Sequence, residues 1–167
     1  KEENQITVVT IFVNPLQFSP SEDFQQYPRQ LEADKKLCEQ EGVDIIFAPT
    51  PETMGMENEL STKVQNQTTT VVPPFRMTSI MCSLSRPNFF QGIATIVTKL
   101  LSLVQPNNAY FGQKDAQQLA IIKRLVKDLS LSVNIISCPI VREDSGLAIS
   151  SRNQYLTVEQ KQQAAIL

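Results

Sequence analysis

The sequence has no histidine and no tryptophan, and only five of its 167 residues are glycine. The lack of histidine excludes a Ser-His-Asp triad, a Cys-His dyad and any histidine metal site within this chain. Its three cysteines, Cys38, Cys82 and Cys138, are widely separated among apolar residues, which favours buried, reduced thiols over a zinc site. Any metal is therefore expected to be a hard cation such as Mg²⁺, bound by carboxylates and phosphates.

Long apolar runs and an excess of positive charge are missing as well. No stretch approaches the roughly 18 apolar residues of a membrane-spanning helix, and the net charge is −2. We therefore expect no membrane and no nucleic-acid partner, and reduced cysteines indicate a cytoplasmic protein. The chain also lacks the GxGxxG and GxxxxGKS/T signatures, which argues against a dinucleotide redox domain and a P-loop NTPase.

Hydrophobic periodicity predicts strands that alternate with helices. The predicted strands are 6–13, 43–48, 68–72, 108–111 and 133–138; the first is expected to be buried on both faces and the second to be buried as well. The predicted helices are 29–41, 92–103, 115–129 and 157–167. Leu31 and Leu37 are expected to face inward from the first helix, and Thr157 with Gln160 to form a capping box on the last. This alternation predicts an α/β fold with a doubly wound parallel sheet. The chain begins on a strand and ends within a helix, so we expect a piece of a longer protein, incomplete at its N-terminus.

Asn14 and Gln17 follow the first predicted strand directly. In open α/β sheets, ligands bind outside the carboxyl ends of the strands, so these amides are candidates for ligand contact. The alternative is that Asn14-Pro15 simply ends the strand as a turn.

The segment Tyr110–Gln118 follows a later strand and leads into a helix. Gly112 permits a close backbone approach, Lys114 offers a positive charge for phosphate, and Asp115 can cap the helix or hold Mg²⁺. The helix N-terminus also favours an anion. A capped helix with solvated charges remains the alternative.

The third candidate is a loop from Val141 to Asn153, after the last predicted strand. Its Ser150-Ser151-Arg152 sequence supplies two hydroxyls and a planar guanidinium, a suitable set of donors for phosphate oxygens. An ordinary turn rich in hydroxyl residues would have a similar composition.

These segments together resemble the pantothenate synthetase (pantoate–β-alanine ligase) family. The matching stretches are IFVNPLQF at 11–18, YPRQLEAD at 27–34, GVDIIFAP at 42–49, YFGQKDAQQL at 110–119 and VREDSGLAISSRNQYL at 141–156. The resemblance implies a Rossmann-like nucleotidyltransferase fold of the class I aminoacyl-tRNA synthetase (HUP) type. Residues 93–129 are similar to the cyanobacterial version, which is often fused to a cytidylate kinase domain.

The resemblance implies that pantoate reacts with ATP to give pantoyl adenylate and pyrophosphate, and that β-alanine then displaces AMP to give pantothenate. Carried over by position, the contacts with pantoate and β-alanine would come from Asn14, Gln17, Arg86 and Gln118. Those with ATP would come from Gly112, Gln113, Lys114, Asp115, Val141, Ile149, Ser150, Ser151 and Arg152, with Asp115 near Mg²⁺. The implied catalytic residues are Lys114, Ser150, Ser151 and Arg152, and the implied assembly is a homodimer.

The resemblance also implies a domain division, and the chain differs from the family pattern in two places. Residues 1–156 would form the nucleotide- and pantoate-binding domain, and 157–167 the start of a helix leading to a further domain. The family's PTMGALHxGH-type segment, whose histidines meet the phosphates, would lie upstream of Lys1. Where the family commonly has RPGHFRG or RPTHFxG, this chain has Phe89 at the position of the histidine.

Two other functions are compatible with parts of the sequence. One is another nucleotidyltransferase, such as a cytidylyltransferase, although that class gives no reason for the two glutamines Gln17 and Gln118. The other is a truncated or degenerate copy that folds without catalysing a reaction.

Overall fold

The computed structural model describes residues 3–18, 22–56 and 69–166, which contain four strands and six helices. The strands are β1 (Val8–Thr10), β2 (Ile45–Phe47), β3 (Asn108–Gly112) and β4 (Asn134–Cys138). The helices are α1 (Leu31–Gln40), α2 (Phe75–Thr78), α3 (Cys82–Ser85), α4 (Phe89–Val104), α5 (Ala116–Asp128) and α6 (Val158–Ala164). Short 3₁₀ turns cover Pro15–Gln17, Gln113–Asp115 and Ser151–Tyr155.

The strands pair in parallel, β1 with β2 and β3 with β4. Val8 lies opposite Ile45 in the first pair, and Asn108 lies opposite Asn134 in the second. A helix connects the strands of each pair, α1 in the first and α5 in the second. The predicted α/β class with parallel strands is therefore confirmed, although the described residues form two two-stranded sheets.

The strand predicted at 68–72 is wrong for residues 69–72, which have no strand pairing; Thr68 lies outside the described residues. Here the Val71 amide donates to the hydroxyl of Thr95 at 3.0 Å, a side chain of α4. The following Pro73 and Pro74 have no amide hydrogen to extend a ladder.

The first two strands are shorter and more exposed than the apolar runs predicted. Ile6 precedes β1 and is 64% exposed, and Ile45 at the start of β2 is 50% exposed. Burial on both faces is therefore wrong for this pair. The apolar, β-branched composition predicted the strands correctly, but not how many of their faces are covered.

The core lies on α4 and α5, the two long helices that the sequence predicted. Its buried apolar side chains include Phe90, Ile93, Ala94 and Ile96 on α4 and Leu119, Ile121, Ile122 and Leu125 on α5. Burial of each large side chain contributes roughly 1.5–3 kcal/mol to folding. The two helices therefore anchor the segments attached to their N-termini, which include the candidate site.

The predicted burial of two leucines and three cysteines needs correction. Leu31 and Leu37 are 37% and 59% exposed, because they line an open cavity beside β1 instead of a packed core. Cys82 is exposed as well, while Cys38 and Cys138 are half-buried.

The capping box of α6 is confirmed, with Gln160 N donating to the Thr157 hydroxyl and the Gln160 side chain accepting from Thr157 N. Within the described part of the chain, every helix is too short or too polar to cross a membrane.

Candidate functional site

The turn after β1 is built around Asn14, which is only 4% exposed. Its side-chain oxygen accepts from Leu16 N at 3.0 Å, and its amide nitrogen donates to the Gly92 carbonyl at 3.2 Å. A Cβ at Gly92 would lie 2.4 Å from the Leu16 carbonyl oxygen, so this close approach requires glycine. Asn14 therefore fixes the Pro15–Gln17 turn on α4, and with it the position of half-buried Gln17.

Arg86 holds the same turn through a second set of contacts. Its Nη2 donates to the Gln17 carbonyl at 3.0 Å, and its Nε lies 2.6 Å from Glu22 Oε1. The guanidinium carbon lies 3.6 Å from the centroid of the Phe89 ring, a cation–π contact. Phe89 thus supports Arg86, so the ring at the position where the resemblance implies a histidine has a structural contact of its own.

The carboxyl end of β3 presents a row of exposed residues. Gly112 leads into the Gln113–Asp115 turn, and α5 begins directly afterwards. The Asp115 side chain makes no capping hydrogen bond, although Asp115 occupies the cap position, and its carboxylate lies 3.7 Å from Lys114 Nζ. The carboxylate is therefore not used for helix capping, one of the two roles that the sequence left open.

The two glutamines that begin α5 have different surroundings. Gln117 Nε2 donates to the carbonyls of Met77 and Ile80, both at 3.0 Å, and Gln117 Oε1 accepts from Cys82 N at 3.2 Å. Gln117 therefore anchors the segment 75–86, which connects α5 to the Arg86–Gln17 contact. Its neighbour Gln118, the predicted substrate contact, is half-buried.

The loop after β4 closes on itself. Ile149 N donates to the Val141 carbonyl at 3.0 Å, and Glu143 N donates to the Leu147 carbonyl at 2.8 Å. Asn153 braces this hairpin, since its side-chain nitrogen donates to Glu143 Oε1 at 2.9 Å. Val141 and Ile149 are both exposed, so their apolar side chains are accessible to a ligand.

The Ser150-Ser151-Arg152 sequence forms the start of the third 3₁₀ turn. The Ser150 hydroxyl caps it by accepting from Arg152 N at 3.3 Å, and the hydroxyls of Ser151 and Tyr27 lie 3.0 Å apart. The Arg152 guanidinium donates to both oxygens of Asp23, from Nε at 2.9 Å and from Nη2 at 2.8 Å. These bonds hold the pKa of Asp23 below its ordinary value and raise the pKa of Arg152.

A cavity of about 1260 Å³ opens between β1, the start of α1 and this turn. Ser150 and Ser151 line it together with Tyr27 and Lys161, so hydroxyls and a cation face its interior. Lys114 and Gln118 do not line it. The structure therefore connects the serines with a large open space, while the β3 residues lie outside that space.

The sequence did not identify Asp23 or Glu22 as parts of this region. It placed Gln117 in the candidate segment Tyr110–Gln118, but not as the anchor of the segment 75–86. Asp23 and Glu22 precede the Tyr27-Pro28-Arg29 stretch that carries the resemblance, but contacts between distant segments leave no periodic signal in the sequence. Within the described residues, three or more acidic or cysteine side chains never cluster as a metal site. A cation here would need oxygen ligands from a bound molecule in addition to Asp115.

The sequence profile of pantoate–β-alanine ligases matches residues 1–167, the whole chain. The chain belongs to the pantoate–β-alanine ligase family. It is 77% identical over all 167 residues to a bifunctional pantoate ligase/cytidylate kinase of Trichodesmium erythraeum, of which it covers 32%.

Two crystal structures of this ligase family are similar over 99% of the chain. The pantothenate synthetase of Thermus thermophilus is 46% identical with a TM-score of 0.91, and the chain covers 57% of it. The ligase of Francisella tularensis, in complex with beta-gamma ATP and β-alanine, is 39% identical with a TM-score of 0.87, and the chain covers 60% of it. These similarities confirm the nucleotidyltransferase-type α/β fold. They also show that the chain spans about a third to three fifths of these relatives' lengths.

Proposed function

We propose that the full-length protein containing this chain joins (R)-pantoate and β-alanine into pantothenate at the expense of ATP. The observation that carries the proposal is the row from Gly112 to Asp115 at the carboxyl end of β3. It exposes Lys114 and a carboxylate that is not used for capping, directly before half-buried Gln118. The family match over residues 1–167 and a solved relative with beta-gamma ATP and β-alanine support it.

The first step forms an acyl–phosphate bond. A pantoate carboxylate oxygen attacks the α-phosphorus of ATP, the bond to the β-phosphate oxygen breaks, and pyrophosphate leaves with the electron pair. Gln17 and Gln118 orient pantoate with neutral amides, so the carboxylate stays nucleophilic. Lys114 and Arg152 stabilise the charge that develops on the phosphates, with Ser150 and Ser151 as further donors.

The second step transfers the pantoyl group. The β-alanine nitrogen attacks the acyl carbon, AMP leaves as its phosphate oxygen takes the bonding pair, and the nitrogen loses a proton. The chain's residues act here by position: Asn14 and Arg86 fix the turn that carries Gln17, and Gly112 with Gln113 places backbone against the nucleotide. Val141 and Ile149 provide apolar contact for the adenine end.

Asp115 is the residue of this chain that would bind Mg²⁺. One carboxylate suits this ion, since Mg²⁺ is usually held by one or two carboxylates together with substrate phosphates. The bound ion would neutralise phosphate charge. The fit rests on the exposed Asp115 carboxylate, which makes no capping bond and lies 3.7 Å from the Lys114 ammonium.

The remaining family expectations belong to the same proposal. Residues 1–156 serve as the nucleotide- and pantoate-binding domain, and residues 157–167 begin the link to a further domain. The protein works in the cytoplasm as a homodimer, and it carries a cytidylate kinase domain like its relative in Trichodesmium erythraeum. Light scattering of the full-length protein and a CMP phosphorylation assay test the last two statements.

The decisive experiment measures AMP, pyrophosphate and pantothenate formed by the purified full-length protein. We expect equal amounts of the three products, and steady AMP release only when both pantoate and β-alanine are present. A Gln118→Leu variant, purified in the same way, controls for contaminating host enzyme and should lose the activity. Consumption of CTP without AMP would favour a cytidylyltransferase, and no turnover with any substrate would favour a non-catalytic copy.

A further inference from the structure

Arg152 and Asp23 form a two-point contact between segments 129 residues apart in the sequence. The Nε and Nη2 groups lie along one edge of the guanidinium, and each donates to a different oxygen of the same carboxylate. Such a paired arrangement fixes the plane of the guanidinium as well as its position. The side chains are 43% and 23% exposed, so the contact lies at the surface of the site.

Aromatic side chains and further hydrogen bonds hold the same two segments together. The guanidinium carbon of Arg152 lies 5.3 Å from the Tyr27 ring centroid and 5.8 Å from that of Phe18. The Tyr155 hydroxyl donates to the Gln26 carbonyl at 3.1 Å. The guanidinium therefore sits among fixed neighbours, which distinguishes it from an arginine on an open loop.

The opposite edge of the guanidinium is left available. Nη1 has no hydrogen-bond partner among the described residues, whereas Nε and Nη2 are both engaged. The adjacent Ser151 lines the large cavity, so donors of this turn already face open space. A phosphate oxygen can therefore bind Nη1 while Asp23 keeps its own two bonds.

We infer that Asp23 is a positioning residue that holds one edge of Arg152 and presents the other to the triphosphate of ATP. The inference rests on the proposed function, because it takes Arg152 as a phosphate contact. It also excludes a different arrangement, in which Asp23 competes with ATP for the guanidinium. Under competition, loss of the Asp23 charge would strengthen ATP binding; under positioning, it weakens binding.

The test measures the Kd of ATP with Mg²⁺ by calorimetry on the full-length protein. Asp23→Asn should weaken ATP binding roughly tenfold, the range expected when a charge-assisted hydrogen bond is lost. Asp23→Glu, which restores the charge, should recover part of the affinity. Glu32→Gln is the matched control, since it removes a carboxylate that pairs with Lys35 at 2.7 Å on the exposed face of α1, and its Kd should not change.

Arg152→Ala and the double variant complete the design. If Asp23 acts through Arg152, adding Asp23→Asn to Arg152→Ala should weaken ATP binding no further. Additive losses, an unchanged Kd or tighter binding in Asp23→Asn would each overturn the inference. Failure of wild-type protein to form AMP would refute the proposed function alone if ATP still binds with this pattern, and failure to bind ATP would refute both. A thermal melt of each variant confirms that it folds.

Discussion

At the scale of single residues, the site is defined by which polar atoms the protein already uses. Asn14 has its oxygen and its amide nitrogen committed to backbone groups, whereas Asp115 has no capping bond. Both side chains looked equally available in the sequence. A buried, bonded amide contributes by fixing its neighbours, and an exposed carboxylate remains accessible to a ligand.

Lys114 offers the clearest kinetic test at this scale. Lys114→Ala in the full-length protein should lower kcat by about 10²- to 10³-fold, the cost typical of losing one electrostatic contact to the transition state. The KM for ATP should change much less, because the ammonium acts on charge that develops during the reaction. Lys127→Ala, at the exposed C-terminal end of the same helix, is the matched control. A large rise in KM with kcat preserved would show that Lys114 serves ground-state binding instead.

The Asp23–Arg152 pair predicts a particular pH dependence of stability. The pKa of Asp23 is lowered in the folded protein, first by the hydrogen bonds from Arg152. A carboxyl with a depressed folded pKa stabilises above its unfolded pKa, about 3.9, and loses that contribution as the pH falls through the folded value. At pH 7 the free energy of unfolding of the wild type should exceed that of Asp23→Asn by at most about 1 kcal/mol, because the pair is partly exposed.

This difference is measured by urea unfolding of both proteins from pH 7 to pH 3. It should stay constant down to about pH 5 and shrink below about pH 4. If the difference in the free energy of unfolding already disappears between pH 7 and about pH 5, another group with a higher pKa must cause the pH dependence.

At the scale of elements, the junction between α4 and the Pro15–Gln17 turn depends on one missing methyl group. Gly92→Ala would place a Cβ 2.4 Å from the Leu16 carbonyl oxygen, so backbone must move, at a cost of about 1–3 kcal/mol. Gly112→Ala is the matched control, because nothing lies within 4 Å of the place its methyl group would take and its φ is −70°. Thermal melts should show a lower Tm for Gly92→Ala only. Equal Tm values would contradict the close approach.

The two glutamines at the start of α5, Gln117 and Gln118, give a second test at this scale, of how α5 holds the segment 75–86. Gln117→Leu removes hydrogen bonds to Met77, Ile80 and Cys82. The free energy needed to open the segment 75–86 locally should therefore fall by about 2 kcal/mol. Amide hydrogen exchange of Cys82 should then be roughly thirtyfold faster. Gln118→Leu should leave that exchange unchanged while abolishing pantothenate formation. The same effect of both substitutions on exchange would refute the division of roles.

The elements differ in how far the sequence could predict them. α4, α5 and the strands β3 and β4 combine apolar periodicity with clear ends, and all four were predicted with small errors in their bounds. The segment 69–72 is β-branched like a strand, yet Val71 pairs with a threonine side chain. Leu31 and Leu37 show the same limit, since periodicity identifies an apolar face but not what covers it.

The candidate site was predictable where it follows strand ends and unpredictable where it depends on distant contacts. The local sequence pattern predicted the residues that follow strands or precede helices, namely Gln17, Gly112–Asp115 and Ser150–Arg152. Asp23 and Gln117 act on segments far away in the sequence, and only the folded chain brings them together. The binding roles of the candidate site residues stay predictions until the variants are measured.

At the scale of the whole molecule, several large apolar side chains are exposed in this chain. Phe75 is 80% exposed, Leu84 is 74% exposed and Val72 is 70% exposed, all on one short stretch of sequence. Exposed apolar surface of this kind promotes association. The 167-residue chain expressed alone should therefore sediment as oligomers or precipitate at micromolar concentrations. A monomeric species with a sharp, cooperative melt would contradict this expectation.

Cys82 gives this molecule a built-in attachment site for a fluorescent label. It is the exposed one of the three thiols, and it lies on the segment that Gln117 anchors and that ends at Arg86. A fluorophore attached there would report on the segment that Gln117 anchors and that ends at Arg86, without any engineered cysteine. Changes in its emission on adding pantoate, β-alanine or nucleotide would report, one substrate at a time, which of them moves this segment.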